Sequence, residues 1–277
     1  MTGDLQAAMA ALAAPQDPRF QREAGTTSDL SVDEVLLLHG AGWEPVDLIV
    51  GVSWWALPWG TWQYQTGEIT QASSGFAGAM ETAVGQLRAE CAHLGASGVL
   101  GVDVEIRVTP THIDVTLTGT AVRRIGHHQA AFEFLSDLSA RDFALLARAG
   151  WAPVALVAGA SFVGAPRRSA SQWAQQQGQN AEMPNLTQAL YLARERAMER
   201  MQRAGLDAGA DGVVGVRLRE GSARHSGGGL GQSRVLQFVA FGTAVRLVSD
   251  VHQSLSPTLV VTLDDPVVAF EATSLRS

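Results

Sequence analysis

Cysteine is nearly missing: Cys91 stands alone among 277 residues, so no disulfide can close within the chain. A reducing cytoplasm is therefore the expected compartment. Charge is also sparse, at 17% Asp, Glu, Lys and Arg, and the balance is acidic, with 27 acidic against 20 basic side chains and a net charge of −7. Nucleic acids and anionic membranes select for clustered Lys and Arg, so neither is an expected partner. Long hydrophobic runs are lacking too. The most apolar stretch, residues 151–165, is broken by Pro153 and falls short of the roughly 20 residues of a transmembrane span. No N-terminal leader is expected, because Asp4 stands where a basic flank belongs and no long apolar core follows. Catalytic signatures are absent as well: there is no Gly-x-Ser-x-Gly elbow, phosphate-binding loop or HExxH. The run Gly227-Gly-Gly-Leu-Gly231 precedes no helical pattern, so it does not read as a dinucleotide loop.

What the chain has instead is a repeat. Gly95-Ala-Ser-Gly-Val-Leu-Gly-Val-Asp-Val104 returns as Gly209-Ala-Asp-Gly-Val-Val-Gly-Val-Arg-Leu218, each time at the end of a helical pattern. A glycine after a helix takes the left-handed conformation that stops it, and the Val-rich run reads as a buried strand. The glycine within that strand, Gly101 or Gly215, is expected to mark the close approach of another backbone. Ser28-Asp-Leu-Ser31 recurs as Ser136-Asp-Leu-Ser139 and Gly42-Trp43 as Gly150-Trp151, both 108 residues on. Ser31-x-x-Glu34 and Ser139-x-x-Asp142 are capping-box starts of short helices. The segments 43–53 and 151–161 follow as matching first strands.

Long helices come next. Leu186, Leu190, Ala193, Ala197, Met201, Ala204 and Ala208 share one helical face. The first copy carries Met80, Ala83 or Val84, Leu87, Cys91 and Leu94, so Cys91 reads as a buried structural thiol rather than a nucleophile. Each helix leads into a hairpin. In the first, Val102, Val104, Ile106 and Val108 share a face with Ile113, Val115 and Leu117, in a register that opposes Arg107 to Asp114. In the second, residues 235–245 are apolar on both faces, so that strand must be covered twice.

The expected fold class is α+β: two tandem β-α-β-β repeats, each preceded by a short capped helix, with antiparallel-rich sheets packed on a long helix. The expected divisions are a flexible arm (1–27), a first repeat (28–126), a linker (127–135), a second repeat (136–248) and a tail (249–277). Within the tail, the apolar stretch 259–263 is a further candidate edge strand.

The strand endings Gly51-Val-Ser53 and Gly159-Ala-Ser161, the long helices, the two Gly-Ala-x-Gly-Val-x-Gly-Val junctions and the closing Gly119-Thr-Ala-Val122 and Gly242-Thr-Ala-Val245 together resemble the YbjQ-type family, labelled "putative heavy-metal-binding". The resemblance occurs twice, at about residues 29–125 and 137–248, and so covers most of the chain. It implies a dodecin-like subunit topology and assembly into rings, pentameric in the simple members. This chain departs by fusing two copies and adding a capped helix before each.

The family label assigns no ligand residue by residue. Cys91 and His93 lie two apart on a helix and point about 200° from each other. The candidate metal set is Asp103, Glu105, His112 and Asp114 on the polar face of the first hairpin, suited to a hard cation but also readable as a solvated face holding the Arg107–Asp114 pair. No other cofactor is expected. Trp54, Trp55, Trp59 and Trp62 read as a core or subunit contact before a ligand platform. Asp103 and Glu105 align with Arg217 and Arg219, acidic against basic, which favours contact of first repeat with second over self-pairing. With Phe241 these arginines and tryptophans form the expected assembly set. The functional expectation is a non-catalytic homo-oligomer, a pentamer or multiple. The alternative is a metal- or small-ligand-binding protein with its site in an inter-subunit pocket.

Overall fold

The computed structural model describes residues 27–62, 66–127, 131–165, 184–225 and 233–249. The N-terminal arm before Thr27, residues 226–232 within the second hairpin, and the tail stretch 259–263 lie outside them. Helix α1 (Val32–Gly40), strand β1 (Trp43–Ala56), helix α2 (Thr70–His93) and the hairpin β3 (Gly98–Val108) and β4 (His112–Arg124) make the first half. Helix α3 (Ala140–Arg148), strand β6 (Trp151–Gly164), helix α4 (Pro184–Asp207) and the hairpin β7 (Gly212–His225) and β8 (Ser233–Leu247) make the second. Two short strands, β2 (Gly67–Glu68) and β5 (Phe134–Leu135), complete the set. The class is α+β, with two sheets ordered β1-β4-β3-β5 and β2-β6-β8-β7.

The short helices start as their sequences dictate. The Ser31 N–H donates to Glu34 Oε2 at 3.0 Å, and Ser139 Oγ accepts from the Asp142 N–H at 3.1 Å, each relieving an orphan donor of a helix start. In the first hairpin Arg107 faces Asp114 and Val108 faces Ile113, the register that the alternation of apolar side chains requires. The junction glycines are all left-handed, with φ of 66° at Gly95, 64° at Gly101, 71° at Gly209 and 65° at Gly215. For Gly101 and Gly215 this corrects the expectation of a close backbone approach. A β-carbon at Gly101 would meet nothing within 4 Å, and one at Gly215 would first meet the Leu138 side chain. Both sit where the hairpin register slips, so a β-bulge demands glycine there.

The halves are interlocked. β2, from the first half, pairs with β6 of the second sheet. β5, inside the segment expected to be a plain linker, pairs in parallel with β3 of the first sheet. Helix α2 packs on β1 and β4 and also touches β6, while α4 lies across β6 and β8. Strand β8 is covered on both sides. Val235, Val239 and Phe241 join α2 and the first sheet in one core. Leu236, Phe238, Ala240 and Ala244 face α4 in another. The double burial read from residues 235–245 is therefore satisfied within a single chain, and that strand demands no second subunit. A third cluster joins α1 and α3 through Leu38, Trp43, Phe134 and Phe143, with Trp43 edge-on to both phenylalanines at 5.3 and 5.8 Å.

Candidate functional site

The carboxylates of the first hairpin do not converge. His112 Nε2 lies 3.2 Å from Asp114 Oδ2, and the His112 ring leans on Trp54 with centroids 5.1 Å apart. Asp103 and Glu105 stand opposite Thr118 and Thr116, further along the hairpin. Among the described residues no group of three or more His, Cys, Asp or Glu is placed to hold a metal ion. Cys91 does not supply a soft donor. It is buried in the α2 core, its Sγ approaches the Gly98 carbonyl at 3.6 Å, and burial pushes its thiol up to about 11. The donors among the described residues do not gather into a heavy-metal centre.

The four tryptophans do not form one platform either, because neighbours on a strand point to opposite faces. Trp55 turns inward over Gly75 and Gly78 of α2. Trp54 turns outward and is 64% exposed, beside Val50 at 43% and Val52 at 51%. Trp59 stands in solvent at 94%. Trp62 belongs to the seam between the halves, where its Nε1–H donates to the Pro110 carbonyl at 2.8 Å and its ring meets Phe162 edge-on at 5.9 Å. Phe241 is fully buried in that seam, so of the expected assembly set it serves contact within the chain. The Arg219 guanidinium lies over the Phe241 ring at 5.3 Å and 4.0 Å from Asp103. Acidic first half and basic second half thus meet inside one molecule.

The sequence reading missed the seam's main polar anchor. Glu68, on β2, receives hydrogen bonds from Ser73 Oγ at 2.9 Å and Ser161 Oγ at 3.1 Å, and ion-pairs with Arg196 and Arg200 of α4. Burial alone would raise its carboxyl, but the bonds from Arg200, Ser73 and Arg196 outweigh it and hold the group at about 2. The available signal was two arginines one turn apart on α4 that need an acceptor. Its position far away in sequence hid the partner.

A second recurring contact fixes each half's lead-in. Thr120 Oγ1 donates to Asp29 at 2.5 Å, and Thr243 Oγ1 donates to Asp137 at 2.6 Å. Asp137 is enclosed, and burial raises its pKa despite the Thr243 bond and the Arg217 guanidinium, which lies 3.8 Å away. At the far end of the molecule a groove of about 380 Å³ opens between α4 and β7, lined by Met198, Met201, Leu206, Val213 and Val216 among others. No described helix is long and apolar enough to cross a membrane.

Against known proteins, the family profile described as "putative heavy-metal-binding", YbjQ, matches residues 176–248. A curated protein of Mycobacterium tuberculosis (strain ATCC 25618 / H37Rv), named encapsulin nanocompartment protein Rv1762c, is 35% identical over 255 residues, 87% of this chain and 93% of that protein. No solved structure matches. With that identity carried along nearly the whole length, the chain belongs to the family of this mycobacterial protein, and its α4 and second hairpin carry the YbjQ profile.

Proposed function

We propose that this protein is a non-catalytic assembly protein, built from two YbjQ-like halves, that associates with further copies of itself into a ring or larger homo-oligomer. The observation that carries the reading is the outer face of the first sheet, where Val50, Val52 and Trp54 form an exposed apolar row. An uncovered row of this kind marks a contact surface. The relative's printed name places that protein in a nanocompartment, which agrees with a role in assembly. A pentamer, or a multiple of one, is the oligomer the family resemblance favours. Binding of a metal or small ligand is the weaker reading, because the described donors do not gather.

Native mass spectrometry of the full chain, with and without Zn²⁺ and Ca²⁺, tests the proposal. A discrete oligomer at micromolar protein with no bound mass is expected. A monomer overturns self-assembly, and one stoichiometric ion per protomer promotes the ligand reading.

A further inference from the structure

The contact between the two halves leaves one unused copy of each of its sides at the ends of the molecule. On β3, Val102 and Val104 are 1% and 0% exposed, enclosed in one core with Ala160 and Phe162 of β6 and Val239 and Phe241 of β8. Their counterparts on β7, Val216 and Leu218, are 40% and 45% exposed, and Val216 lines the groove beside α4. The complementary side is open as well. Ala160 and Phe162 are 2% and 1% exposed, whereas their counterparts Val52 and Trp54 are 51% and 64% exposed.

The strand edges follow the same rule. The outer edge of β3 is taken up by the second half's lead-in: the Gly101 N–H donates to the Leu138 carbonyl and the Val102 N–H to the Ser136 carbonyl, both at 3.0 Å. β7 is the last strand of its sheet among the described residues. The lead-in 27–30 holds its own sheet as 135–138 holds the other, through Asp29 on Thr120 and Asp137 on Thr243.

We propose that a second copy of this chain seats the outer face of its first sheet, with segment 27–30, on the α4/β7 end of the first copy, repeating the contact between the halves. This docking rests on the self-association proposed above and names the surfaces that perform it. Charge supports the match. Within the chain Arg219 of the second half lies 4.0 Å from Asp103 of the first. At the corresponding place between copies, Glu105 of the docking copy takes the position of Arg219, and Arg217 takes that of Asp103. The signs exchange and the pair stays attractive. Pairing two first-sheet faces with each other would instead set a face carrying Asp103, Glu105 and Asp114 against one basic residue, Arg107, onto a second such face, acidic on acidic. Because the two surfaces differ, the contact is heterologous and propagates head to tail until a ring closes.

The test uses the full chain and two variants at exposed positions, Val52→Glu and Leu218→Glu, with far-UV circular dichroism to confirm folding. Each variant alone is expected to lose the oligomer by native mass spectrometry, while an equimolar mixture forms a heterodimer, since one unblocked face of each kind remains. Oligomers that persist in both variants overturn this docking and leave self-association standing. Dissociation by Val52→Glu but not by Leu218→Glu overturns it in favour of a face-to-face dimer. A monomeric unmodified chain removes both proposals together. Glu105→Arg, at an exposed position of the docking face, is expected to weaken the oligomer, and an oligomer unchanged in that variant contradicts the charge pairing.

Discussion

At Gly159 a β-carbon would fall on the Ala197 carbonyl oxygen and the Met201 amide, and at Gly51 on the Ala83 carbonyl oxygen. The long helix of each half therefore crosses its first strand at a point where only hydrogen fits. Gly159→Ala is expected to destabilise the protein by about 2–3 kcal/mol, because the backbone that must yield belongs to a packed helix. Gly85 supplies the control. It lies within α2, where an added β-carbon meets nothing within 4 Å, so Gly85→Ala is expected to add roughly 0.5–1 kcal/mol through helix propensity. Urea midpoints at unchanged m-value measure both. Equal loss in the two variants would mean that the helix does not press on β6. The Gly-x-Ser match between residues 51–53 and 159–161 was visible as a repeated pattern. Its reason was not, because the obstructing backbone lies more than 30 positions away in each half.

Between elements, the decisive join is β2. Two residues of the first half extend the second sheet, and Glu68 at their end holds α4 through Arg196 and Arg200. On the opposite sheet, the exposed edge of β1 is capped differently: the Val52 N–H donates to Gln86 Oε1 of α2 at 2.7 Å and the Val50 N–H to Glu90 Oε2 at 3.3 Å. Both arrangements blunt an edge strand. The Glu68 carboxyl sits at about 2, below its ordinary 4.5, so its contribution is complete above about pH 4.5 and is lost as pH falls towards 2. The shift corresponds to roughly 2 kcal/mol once the half-exposed guanidiniums are discounted. Glu68→Gln is expected to lose about that much near neutral pH, with the gap to the unmodified protein closing on acidification. Chemical denaturation at several pH values measures it, and a gap independent of pH would show that the charge does not carry the clamp.

For the molecule as a whole, the halves cannot be separated without opening a core. The largest apolar cluster draws on β6 and β8 as well as on α2 and the first sheet. Residues 136–248 made alone would expose Phe162, Val239 and Phe241, all 1% exposed or less in the full chain. That fragment is expected to bind a hydrophobic dye and to lack a cooperative thermal transition, while the full chain unfolds in one step. Calorimetry of both distinguishes the outcomes, and a fragment with its own sharp transition would make the halves independent domains.

The sequence by itself determined the α+β class, the capped short helices, the long amphipathic helices and the register of the first hairpin. These depend on residues within a few positions of each other, such as Ser31 with Glu34 and Arg107 with Asp114, where spacing alone decides which side chains share a face. It also showed that residues 235–245 need two covers. Only the tertiary structure decided that the second cover is the α2 core of the same chain, that Trp54 and Trp55 part to opposite sides, and that Glu68 anchors the seam. Those outcomes depend on how two similar halves are placed against each other. That placement is set by shape and charge matched across more than 100 residues of chain, as between Glu68 and Arg196, and no local pattern encodes it.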